Sequence, residues 1–121
     1  MLEYNLKCEP DRGLRATRDE YEALVHVLYP KGEDYDGDDF EYTGFWVDYD
    51  NGEVYVFAQD PYWEALPDAF LPLLGSLIEK NALEYLEFGV TIDFIGDSLD
   101  ATPFRVRSDG SIWQPTLTWT W

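Results

Sequence analysis

Residues 45–59 read Phe45-Trp46-Val47-Asp48-Tyr49-Asp50-Asn51-Gly52-Glu53-Val54-Tyr55-Val56-Phe57-Ala58-Gln59. Phe45, Val47 and Tyr49 alternate with Trp46, Asp48 and Asp50, the period of a strand that buries one face. Asn51-Gly52 follows. A two-residue type I′ turn needs positive φ at both central positions and favours this dipeptide. The stretch therefore predicts an antiparallel hairpin of fixed register: Asp50 opposite Glu53, Tyr49 opposite Val54, Val47 opposite Val56, Trp46 opposite Phe57. Its tip sets two carboxylates face to face, a repulsion of about 0.5 kcal/mol.

Working outward, Leu2, Tyr4 and Leu6 alternate with Glu3, Asn5 and Lys7 and predict a first strand, with Pro10–Arg15 as a loop. Thr17-Arg18-Asp19-Glu20 matches a capping box, and Tyr21, Leu24, Val25 and Leu28 form the apolar stripe of a helix that Pro30 ends. Pro67–Lys80 predicts a second helix on the stripe Phe70, Leu73, Leu74, Leu77 and Ile78. Asp68 is its expected cap, Pro72 lies near the first turn and Asn81 is the stop. Leu86, Phe88, Val90, Ile92 and Phe94 mark one face of a long strand, and Gly96–Asp100 is expected to turn the chain. Phe104 and Val106 then face inward between Arg105 and Arg107. Asp109-Gly110 predicts a second two-residue turn, pairing Arg107 with Ile112 and Val106 with Trp113. In the last strand, Ser111–Trp121, the residues Trp113, Leu117, Trp119 and Trp121 share a face expected to pack on the second helix. Pro115 suits an edge position.

The predicted order is β-α-β-β-α-β-β-β. It implies an α+β fold with a single antiparallel, or mixed, sheet of about six strands and two helices on one face. Residues 1–121 form one acidic domain, without internal repeat or dividing linker.

The chain has 121 residues, with 25 Asp and Glu against 8 Lys and Arg, a formal charge of −17. Aromatic residues make up 17% and hydrophobic residues 45%, which separates it from acidic disordered tails. So negative a chain is a poor partner for nucleic acid or an anionic membrane, both polyanions. The N-terminus carries no basic-then-apolar secretory pattern, and the apolar run at Leu66–Ile78 is broken by Pro67, Asp68, Pro72 and Gly75. Cys8 is the single cysteine, so neither an internal disulfide nor a multi-cysteine zinc site can form, and a cytoplasmic location is expected.

Chemistry-bearing patterns are few. A Cys8 thiolate would need His26, the one histidine, which falls on the solvent side of its helix. Asp34, Asp36 and Asp38 begin like a calcium loop. Asp39 then stands where such a loop needs Gly, and Phe45 where it needs a bidentate Glu. Asp48 and Asp50 beside Trp46 form an acid-and-aromatic surface of the sort on which glycosidases act, but so small a fold offers little cleft. No phosphate-binding glycine loop or nucleophile elbow occurs. The expectation is therefore no catalytic residues, no metal and no cofactor.

The distribution of charge is more telling. Residues 31–60 hold ten acids and one base, a net −9, whereas residues 1–30 hold six acids and four bases. Aromatic side chains lie among those acids. Glu33, Asp34, Tyr35, Asp36, Asp38, Asp39, Phe40, Glu41, Trp46, Asp48, Asp50 and Glu53 are the candidate binding residues. Charge steers the encounter with a basic partner and aromatic groups anchor it.

This profile of a small acidic α+β domain is in general terms similar to bacterial immunity proteins and antitoxins. The similarity implies an inhibitor, not an enzyme, that blocks a basic partner, such as a nuclease-type toxin or another nucleic-acid-binding protein. Two alternatives stand beside it. One is a DNA mimic, its acidic stripe extended by Glu84, Glu87, Asp93 and Asp97. The other is a small-ligand or enzymatic domain with an aromatic pocket. The chain is expected to be a monomer, or a homodimer through its C-terminal strand.

Overall fold

The structure, a computed structural model, describes residues 4–29, 43–94 and 96–113. Its elements are β1 (Tyr4–Pro10), β2 (Leu14–Arg15), α1 (Arg18–Leu28), β3 (Phe45–Asp50), β4 (Glu53–Gln59), a 3₁₀ turn (Trp63–Ala65), α2 (Phe70–Lys80), β5 (Tyr85–Phe94), β6 (Asp97–Arg107) and β7 (Ile112–Trp113). All strand pairs are antiparallel, in one sheet of order β2-β4-β1-β5-β6-β7 with β3 also on β4. The fold is therefore α+β with a single antiparallel sheet and two helices.

β1 and β2 share one side of β4. Cys8 pairs with Ala58 and Leu14 with Val54, so six positions of the first segment run past four of the second. The chain bows away from β4 between Cys8 and Leu14, with Glu9 and Pro10 still paired to Gly89 and Phe88 of β5, before it rejoins β4. This corrects the expected loop at Pro10–Arg15: β1 continues to Pro10, and Leu14, fully buried, returns to the sheet as β2.

Local sequence explains most elements. The Thr17 side chain accepts from the Glu20 N–H at 3.1 Å and the Glu20 carboxylate accepts from the Thr17 N–H at 2.8 Å, closing the capping box of α1. Asn51 and Gly52 have φ of 51° and 78°, and the β3–β4 register matches the hairpin reading at all four pairs. Asn81 caps α2 as expected, but Asp68 does not begin it. Ala69 is the N-cap and supplies no side-chain bond. Pro72 sits in the first turn, where its missing N–H leaves one fewer orphan donor to satisfy.

Both helices cover one face. Leu24 and Leu28 of α1 join Phe70, Leu74, Leu77 and Ile78 of α2 in a single cluster with Cys8, Leu14, Phe45, Val47, Val54, Val56, Leu86, Phe88, Phe104 and Val106 from the sheet. Phe88 stacks on Phe104 at 4.7 Å, and Trp63 sits edge-on to both Phe45 and Phe104, closing the core from the 3₁₀ turn. Tyr49 stacks on Tyr21 at 5.1 Å and donates to the Ala16 carbonyl at 3.0 Å, tying α1 to β3.

Two turns depart from expectation. Asp97 pairs with Phe94, so β6 begins where the chain was expected still to be turning. A one-residue bulge then lets Phe88 pair with Phe104 while Val90 pairs with Ala101, and it absorbs Pro103. The second hairpin is one residue out of the expected register: Val106 pairs with Ile112, and Arg105 with Trp113. The Arg107 N–H bonds the Ser111 carbonyl and Gly110 has φ of 85°, the pattern of a three-residue loop in place of a two-residue turn. Because side chains alternate, this slip moves Trp113 off the helix-covered face and leaves it 38% exposed. The readings of Pro30, Pro115, Leu117, Trp119 and Trp121 lie outside the described residues. No helix among the described residues is long and apolar enough to cross a membrane.

Candidate functional site

The sheet's second face carries no helix among the described residues. The β3–β4 hairpin puts three cross-strand pairs on it: Trp46 with Phe57, Asp48 with Tyr55 and Asp50 with Glu53. The Trp46 and Phe57 rings stack at 5.6 Å with 16° between planes, and Trp46 is 37% exposed. An aromatic pair of this kind on an open sheet face buries part of each ring and leaves the rest as contact surface.

Of the carboxylates beside the stack, Glu53 is hydrogen-bonded within the hairpin itself. Tyr55 donates its hydroxyl to Glu53 Oε2 at 2.8 Å, and this bond to Glu53, reinforced by that carboxylate's charge, raises the phenol above its ordinary pKa. The ring lies across Gly13 in the β1–β2 bow, where a Cβ would stand 2.8 Å from Tyr55 Cζ. Glycine is therefore required for the ring to lie flat at this point. Arg15 faces Glu53 from β2, on the side away from Asp50, and so places one cation beside Glu53. Among the described residues no ion pair reaches Asp48, Asp50 or Glu53.

Of the candidate residues, Trp46, Asp48, Asp50 and Glu53 are brought onto this one patch. Glu33, Asp34, Tyr35, Asp36, Asp38, Asp39, Phe40 and Glu41 lie outside the described residues. Sequence reasoning left out Tyr55 and Phe57, although the Asn51-Gly52 register already paired them with Asp48 and Trp46. It also missed Arg15, which no local signal ties to the hairpin. Of the acids invoked for a longer stripe, Glu87 and Asp93 lie on this same face of β5, opposite the buried Leu86 and Phe88. Asp93 is ion-paired with Lys7 at 2.8 Å and Glu87 with Arg105 at 3.0 Å, while Glu84 and Asp97 are exposed.

Across the sheet, the same face ends in a cation between rings. The Arg105 guanidinium carbon is 4.2 Å from the Tyr85 centroid and 5.1 Å from that of Trp113, and its Nε donates to Glu87 Oε1. Glu84, Tyr85, Arg105, Arg107 and Trp113 line an open groove of about 400 Å3 there. Its lining carries one carboxylate, Glu84, and two guanidinium groups, one of them paired with Glu87.

Cys8 is buried on the helix side of β1, where desolvation pushes its thiol up to about 11, and His26 is exposed on α1. Among the described residues no three His, Cys, Asp or Glu side chains converge as metal ligands would. No protein-family model, curated protein or solved structure matches this chain.

Proposed function

We propose that this protein is a binding inhibitor, of the kind of immunity proteins and antitoxins, that engages a basic protein partner through the acid-and-aromatic patch of its β3–β4 hairpin. The observation that carries the reading is the Trp46–Phe57 stack bordered by Asp48, Asp50 and Glu53, none ion-paired among the described residues, on the helix-free face. Charge of this sign steers a cationic surface toward the hairpin, and the aromatic pair supplies the apolar contact that holds it. The partner's site is then occluded by the rigid sheet, with no chemistry required. The remaining acids of residues 33–41 precede the hairpin directly in sequence and add to the same steering field.

Affinity capture from the native host at low salt tests this, with Asp48→Lys/Asp50→Lys and Trp46→Ala as control baits. The reading expects a basic protein retained by the unaltered chain, lost on the charge-reversed bait and weakened on the Trp46→Ala bait. A partner held equally by all three baits would remove the hairpin from the interface.

A further inference from the structure

Each end of the helix-free face sets two rings beside a carboxylate: at one end the rings flank a cation, and at the other they stack on each other. At the β5–β6–β7 end, the rings of Tyr85 and Trp113 and the carboxylate of Glu87 surround the Arg105 guanidinium. At the β3–β4 end, Trp46 and Phe57 supply rings and Asp48 a carboxylate. Asp48 is two residues from Trp46 on the same strand face and diagonal to Phe57. No cation fills that frame among the described residues. We infer that the hairpin patch is an arginine receptor: a partner's guanidinium lies on the exposed face of Trp46 and bonds the Asp48 carboxylate, reproducing in trans what Arg105 does within the chain.

The choice of arginine over lysine follows from the shape of the frame. A guanidinium is planar, weakly hydrated and carries its donors in a fork, so it stacks on a ring and bonds a carboxylate at the same time. An ammonium is a compact, strongly hydrated point charge that gains the Coulomb attraction but little from the ring. Asp50 and Glu53 serve both cations alike, because they act through charge at the hairpin tip. Discrimination therefore resides in Trp46 and Asp48, and affinity is shared with the tip. The inference rests on the inhibitor reading above and names the side chain by which the partner is recognised.

Capped tri-arginine and tri-lysine amides, equal in length and charge, are suitable probes, followed by NMR at the Trp46 indole N–H and the amides of Asp48, Asp50 and Tyr55. The arginine peptide is expected to bind about two- to fivefold tighter, the yield of an exposed cation–ring contact. Trp46→Ala should bring the two peptides to equal affinity, whereas Trp46→Phe, which keeps a ring, should retain most of the preference. Asp48→Asn should weaken arginine more than lysine. Equal binding of the two peptides by the unaltered protein overturns the arginine assignment. So does a preference that survives Trp46→Ala, or shifts that saturate away from Trp46. The broader reading fails separately: Asp48→Lys/Asp50→Lys would then leave the binding of both peptides unchanged.

Discussion

Arg105 faces Trp113 across the β6–β7 ladder, its guanidinium carbon 5.1 Å from the indole centroid, while Glu87 holds its Nε at 3.0 Å from the other side. The cation thus links three strands near the sheet's edge, where β7 has only β6 as a described neighbour. A double-mutant cycle with Arg105→Ala and Trp113→Ala should give a coupling of about 0.5–1 kcal/mol in urea unfolding. Arg105→Lys should lose most of it, because the stacked plane and the fork are what lysine lacks. Additive single-mutant losses would mean that the two side chains merely adjoin.

Gly75 sets how closely α2 approaches the same hairpin. A Cβ there would stand 2.7 Å from the Ser108 carbonyl oxygen and 2.8 Å from the Gly110 nitrogen, both backbone atoms that cannot swing aside. In an isolated helix Gly→Ala gains about 1 kcal/mol. Here overpacking outweighs that gain, and Gly75→Ala should cost a net of about 1–2 kcal/mol. Urea unfolding gives the sign directly: an increase in stability would show that helix and turn separate freely.

The acid limb of the stability profile should contain a component from Glu20. Its bond to Lys80 on α2, together with the capping bond from the Thr17 N–H, holds the carboxyl below its ordinary 4.5. The folded-state value is depressed, so this contribution is fully present above the unfolded value and fades as pH falls through the folded one. Glu20→Gln removes the charge at every pH. The variant should be less stable than the parent by about 0.5 kcal/mol at neutral pH, as suits a pair this exposed, with the gap closing below about pH 4. Urea midpoints across that range check it; a gap that persists undiminished in acid would assign the loss to something other than the charge.

Cys8 should be inert in the folded chain. It is 3% exposed in β1, and burial, with a smaller push from Asp60, raises its thiol to about 11. Reaction with iodoacetamide near pH 8 should be slow in native buffer and fast in urea, following unfolding. Rapid labelling of the native protein would reveal local opening of the β1–β4 pairing.

How much of this was legible differs from element to element. The capping box at Thr17 and Glu20 and the turn at Asn51-Gly52 are local. Each satisfies its hydrogen bonds, or its positive φ, within four residues, so the pattern alone dictates the geometry. The hairpin in turn carried Trp46, Asp48, Asp50 and Glu53 onto one patch, and its register implied Phe57 and Tyr55 as well. Asp109-Gly110 resembles the same signal but resolves differently. The chain adopts a three-residue loop whose Gly110 meets α2 at the Leu71 carbonyl, and this shifts Trp113 to the opposite face.

What the sequence by itself determined is the set of elements whose bonds close locally, together with the apolar stripes that choose the helix-covered face. Tertiary structure alone decided three things. The first is the return of Leu14 to the sheet as β2, which depends on the position of β4. The second is the side on which Trp113 lies, which depends on α2 closing over the last turn at Gly75. The third is the pairing of distant charges: Arg105 with Glu87, Lys7 with Asp93 and Lys80 with Glu20. The physical reason is common to all three. Alternation shows that a side chain is buried or exposed, but a one-residue change of register inverts that assignment. When the local turn permits more than one register, packing between elements far apart in sequence selects it.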